Sequence, residues 1–98
     1  MSAPDDPIAK VMTITRDEFV ASLRRLDPVA HLDASGEACA TIAGAQTRLR
    51  FEVLPRRRLG GVLSLPQARV TLVIDTDDAA RRAAALRAFD IAFQRGGG

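Results

Sequence analysis

TRLRFEVLPRRRLGGVLSLPQARVTLVID, residues Thr47–Asp75, decides the fold. At its start Leu49, Phe51 and Val53 alternate with Arg48, Arg50 and Glu52. At its end Ala68, Val70, Leu72 and Ile74 alternate with Gln67, Arg69, Thr71 and Val73. Alternation of this kind belongs to a strand with one face on a core and one toward water. Two antiparallel strands follow, with the first set of each turned inward. Between them stands LPRRRLGGVLSLP, Leu54–Pro66, with a proline near each end and Gly60-Gly61 in the middle. Proline and glycine punctuate chains, so this segment reads as a connection. It would take about a dozen residues where two to five suffice for a hairpin, and loops of that length often carry function.

Outward from this stretch the chain is helix on one side and helix on the other. Thr15 with Glu18 three residues later spells a capping box, and Ile14 precedes it. Phe19, Val20, Leu23 and Leu26 recur at helical spacing, and Asp27-Pro28 stops the run, which predicts a helix over residues 16–26. Asp33-Ala34-Ser35-Gly36 reads as a turn, with Val29–Leu32 as a short strand feeding it. Residues 37–43 alternate weakly and form another strand, and Gly44-Ala45-Gln46 turns the chain into the strong one. After Ile74, Asp75 or Thr76 caps a second helix whose Leu86, Phe89 and Phe93 share a face, with Ile91 off it and Gly96 as its stop. Asp77 and Asp78 complement the positive end of that helix.

The predicted fold is α+β: a two-layer sandwich in which a three-stranded antiparallel sheet packs against two helices in the order α-β-β-β-α. Lys10–Ile14 is a candidate for a short extra strand before the first helix. Residues 1–9, with Pro4, Pro7, Asp5 and Asp6, read as a tail, residues 10–95 as a single domain, and residues 96–98 as a glycine tail.

Charge is uneven along the chain. The net charge is +2, but residues 1–47 sum to −3, residues 48–69 to +5, and residues 70–98 to zero. All basic groups in the middle segment are arginines: Arg48, Arg50, Arg56, Arg57, Arg58 and Arg69. Guanidinium groups grip carboxylates and phosphates in two-toothed fashion. Gly60 and Gly61 allow close approach of a backbone, and Val62, Leu63 and Leu65 supply apolar contact if exposed. These residues form the candidate ligand- and partner-binding set. The segment lacks the Lys-Ser/Thr ending of a phosphate-binding P-loop. The expected partner is an acidic protein surface or a small anionic ligand, and a homodimer through the open sheet face is compatible with so small a domain.

Other chemistries find less support. One cysteine, Cys39, excludes an internal disulfide, and with one histidine, His31, the chain offers no metal-ligand spacing. No cofactor motif is present. A Cys39 nucleophile would need a base and an orienting group, and His31 is the one base nearby in sequence. The order α-β-β-β-α is that of double-stranded-RNA-binding domains, but those carry a basic run where this chain has Asp75-Thr76-Asp77-Asp78. Single-strand binding by stacking needs aromatics on the open sheet face, and Phe51 belongs to the inner set. Nucleic acid is therefore the alternative partner rather than the first. The ending FQRGGG shares a terminal Gly-Gly with ubiquitin-like carriers, but it follows a helix where theirs follows a strand. No secretory pattern or membrane-length apolar run is present, so the cytoplasm is the expected compartment and no membrane contact is expected.

Overall fold

A computed structural model describes residues 6–96. Six elements follow one another: β1 (Ile8–Met12), α1 (Arg16–Leu26), β2 (Glu37–Ile42), β3 (Ala45–Leu59), β4 (Leu63–Asp75) and α2 (Ala79–Gly96). The strands form one antiparallel sheet in the order β1-β4-β3-β2, with both helices against the same face. The α+β class and the two helices agree with the sequence. The sheet has four strands rather than three, because β1 is a full edge strand that pairs Ile8 with Leu72 through to Met12 with Ala68. It begins at Ile8, inside the expected tail; residues 1–5 of that tail and residues 97–98 of the glycine tail lie outside the described residues.

Local chemistry sets the helix ends. The Thr15 hydroxyl accepts from the Glu18 N–H at 3.1 Å, and the Glu18 carboxylate accepts from the Thr15 N–H at 2.8 Å, which satisfies two orphan donors reciprocally. At the other end, the Asp27 carboxylate accepts from the N–H groups of Val29 at 3.2 Å and Thr41 at 2.8 Å. One side chain thus ends α1 and holds the outer edge of β2. The cap of α2 is Asp78, not Asp75 or Thr76. Its Oδ1 accepts from the N–H groups of Ala80 at 3.0 Å and Arg81 at 3.3 Å. The helix starts later than its acidic run suggests, because an aspartate must stand immediately outside the first turn to reach those donors.

The core lies between the layers. Phe19 and Leu23 of α1, Ala85, Phe89 and Phe93 of α2, and Leu49, Phe51, Val70, Leu72 and Ile74 of the sheet are all buried. A chain of ring contacts runs through this core: Phe19 of α1 lies 4.9 Å from Phe51 of the sheet and 5.3 Å from Phe93 of α2, and Phe89 stacks on Phe93 within α2 at 4.2 Å. Ile91 is exposed, as its place off the helical stripe requires. Ser22 is also buried, and its hydroxyl has no hydrogen-bond partner among the described residues.

Residues 27–36 form a loop, and Val29–Leu32 is not a strand. Ala30 and Leu32 point into the core while Val29 is exposed. The Asp33 carboxylate organises the loop by accepting from the Ser35 N–H, the Ser35 hydroxyl and the Glu37 N–H, all within 2.9 Å. These donors, the Glu37 N–H foremost and then the Ser35 hydroxyl, hold its carboxyl below the ordinary carboxylate range. Gly36 then passes against β3 with φ +89°, its carbonyl accepting from the Phe51 N–H at 2.7 Å. The turn between β2 and β3 is the pair Ala43-Gly44, both at positive φ, and not Gly44–Gln46. Ala45 and Gln46 already pair in the ladder.

Candidate docking site: a hairpin arm

The stretch read as a connection is instead strand. β3 and β4 continue past the body, pairing Arg57 with Leu65, Arg58 with Ser64 and Leu59 with Leu63, and only Gly60-Gly61-Val62 turn the chain. Gly60 and Gly61 take φ +64° and +75°, which glycine adopts without a steric cost. Between Leu54 and Arg57 the register shifts, with Pro55 and Arg56 set against Pro66. This is a β-bulge, and it explains the error. Proline cannot donate to a ladder, but it is tolerated at bulges and on unpaired edges. Among the described residues both edges here are unpaired: β2 reaches along β3 only to Arg50, and β1 reaches along β4 only to Ala68.

The helices do not cover this arm. Val53, expected in the core, is 78% exposed, although Ala68 opposite it is fully buried; it lies at the rim of the core, beside the start of α1. Leu59, Leu63 and Val62 are 40%, 53% and 97% exposed. Directly opposed residues share a face of a ribbon, as do residues two apart. One face of the arm therefore carries Arg57, Leu59, Leu63 and Leu65, and the other carries Arg58 and Ser64. Arg56 joins the second face. Its Nε donates to the Ser64 hydroxyl at 2.8 Å and its guanidinium NH2 to the Ser64 carbonyl at 2.9 Å. Among the described residues, no acidic group lies within ion-pair distance of Arg56, Arg57 or Arg58. No acidic residue occurs in the sequence between Glu52 and Asp75.

The remaining arginines of the candidate set lie elsewhere. Arg48, Arg50 and Arg69 are on the open face of the sheet body, where Arg50 stands opposite Glu37 and Arg69 opposite Glu52. Arg48 has Cys39 on one side and Val73 on the other. With Glu37, Glu52 and Asp75 on the same face, that surface is balanced in charge, whereas the arm is purely positive. The structure thus separates two sets that the sequence placed together. Leu59 and Ser64 complete the arm and were missed. The signal for them was the alternation of Leu63 and Leu65 about Ser64, which the flanking prolines obscured.

Cys39 is exposed on β2, and His31, Asp33, Glu37 and Arg48 line a shallow depression beside it. No hydrogen bond joins Cys39 to His31 among the described residues. No group of three or more His, Cys, Asp or Glu side chains among the described residues is placed to hold a metal ion. An open groove of about 720 Å³ runs between β1 and α2 over Met12, Phe89 and Phe93, with Lys10 paired to Asp90 at 3.1 Å. No helix among the described residues is long and apolar enough to cross a membrane. Comparison with family models, with curated proteins and with solved structures finds no match.

Proposed function

We propose that this domain is a non-catalytic docking module whose contact element is the hairpin arm, and that its partner is an acidic protein surface. The observation that carries this reading is a projecting ribbon with exposed Leu59 and Leu63 beside Arg57 on one face and Arg58 on the other, with no acidic group in ion-pair reach among the described residues. Protein interfaces pair an apolar centre with arginine, and the arm presents both on a small area. The leucines favour a protein over a small anion, since an anion alone leaves them in water. Arm-to-arm association of two copies is disfavoured, because it sets three arginines against three.

The test begins with capture from a host extract by wild type, Arg57→Glu/Arg58→Glu and Leu63→Asp. The captured protein is then purified and titrated directly. Both variants should lose at least tenfold in affinity while unfolding at the wild-type temperature. Reversing an acidic residue of the captured protein should restore binding to the Glu variant. Equal capture by all three forms refutes the reading. A two-stranded basic ribbon also fits the width of a duplex major groove. Retention of a duplex probe that falls steeply with salt would move the arm to nucleic acid instead.

A further inference from the structure

The three adjacent arginines of the arm do not have one job. We infer that Arg56 is a positioning residue that locks the ribbon into its docking shape, and that Arg57 and Arg58 are the groups left to meet a partner. This rests on the docking reading above, but it is tested without any partner.

The physical problem is the arm itself. A two-stranded hairpin alone is marginal in water and needs a third strand or a packed layer to hold it. This arm has neither: both its edges are unpaired among the described residues, the helical layer stops short of it, and its turn contains two glycines. The bulge at Pro55-Arg56 interrupts the ladder at its base. Beyond it the backbone pairs only Arg57 with Leu65, Arg58 with Ser64 and Leu59 with Leu63, and to these the Arg56 side chain adds a clasp from the bulge itself, fastened at two points to Ser64 on the facing strand. Two donors of one planar group on two acceptors of one residue fix both distance and orientation, which a lysine cannot do. Arg57 and Arg58 make no such bond among the described residues. The bulge creates the difference. By inserting one residue into β3 it brings Arg56 onto the serine of β4 and leaves its neighbours to project. A ribbon held in this way loses less freedom on binding, and that raises affinity without any added contact.

Backbone amide relaxation of the free protein tests the assignment. In wild type, the amides of Arg58, Leu59, Leu63 and Ser64 should show order parameters near those of the sheet body, about 0.8, and Arg56→Ala should lower them below about 0.6. The body amides and the unfolding temperature should not change. Arg56→Lys should fail to restore order, Ser64→Thr should preserve it, and Ser64→Ala should fall between. Arg57→Ala and Arg58→Ala should leave the arm as ordered as wild type. Unchanged order in Arg56→Ala, or equal loosening by Arg57→Ala, overturns the assignment. Should the arm loosen as expected while Arg57 and Leu63 prove irrelevant to capture, the lock stands and the docking reading alone fails.

Discussion

Replacing Gly36 by alanine should be the most damaging single-methyl change in the domain. Gly36 sits at φ +89°, where an L-residue costs about 1–2 kcal/mol. A Cβ built there would lie 2.5 Å from the Phe51 carbonyl oxygen, closer than any real contact, and the obstacle is backbone in the central ladder. Relief requires the loop to lift from β3. That stretches the bond from the Phe51 N–H to the Gly36 carbonyl, worth about 0.5–1.5 kcal/mol net. The sum is about 1.5–3.5 kcal/mol, a large share of the roughly 5–15 kcal/mol that a native domain holds. Gly44→Ala is the internal control. Its φ is +80°, but nothing lies within 4 Å of a Cβ there, so it bears the backbone cost alone. Urea unfolding of both variants separates the two terms. With a slope of about 1–1.5 kcal/mol/M, the extra term should make Gly36→Ala unfold about 0.3–1.5 M below Gly44→Ala. Coincident midpoints would show that the close approach to Phe51 contributes nothing, and the argument would fail.

Three further changes follow from the same structure. Ser22→Ala should stabilise the domain by about 0.5–1.5 kcal/mol, since it removes a buried hydroxyl without a partner among the described residues and raises helix propensity; a lower unfolding temperature would contradict this. Ala43→Asn should also stabilise, by about 0.5–1 kcal/mol, because Ala43 holds φ +49° in the two-residue turn before Gly44 and Asn-Gly suits that turn far better; a calorimetric scan showing no rise refutes it. Asp33→Asn keeps an acceptor but loses the charge. The Asp33 carboxyl is held below its unfolded value, so its contribution is present at neutral pH and is lost as pH falls through the lowered value. The gap in stability between wild type and Asp33→Asn should therefore be constant near pH 6–7 and close below about pH 4. A gap independent of pH down to acid would remove the role given to the charge.

The elements that were legible in the sequence are those whose local and tertiary signals agree. The capping box of α1, the alternation of β3 between Leu49 and Phe51, and the Phe89–Phe93 face of α2 each satisfy a local rule and a burial need at once. Where the two diverge, sequence reasoning misplaces residues. Val53 continues the alternation perfectly and is exposed, because alternation reports a pleat and not where the rim of the core falls. Asp75, Thr76 and Asp78 are equally good caps by type, and only the start of the helix at Ala79 selects among them. β1 lacks a turn before α1, and its inward residues Ile8, Lys10 and Met12 are half-buried and of mixed chemistry, so it carried a weak signal for its length.

The arm was hidden for a reason that bears on its role. Prolines, glycines and a run of like charges mark loops because each is costly inside a closed sheet. They cost little in a ribbon whose edges face water, and there they act against indiscriminate pairing. Pro55 and Pro66 remove donors near the bulge, and the arginines repel a second copy of the same edge. Leu59, Leu63 and Val62 would otherwise make such a ribbon an aggregation site. In the docking reading proposed above, three large apolar side chains held clear of the core, guarded by charge and fixed by Arg56, would make a contact that selects by charge first and by apolar fit second. Salt should then weaken association chiefly by slowing it, while loss of Leu63 should act by hastening release.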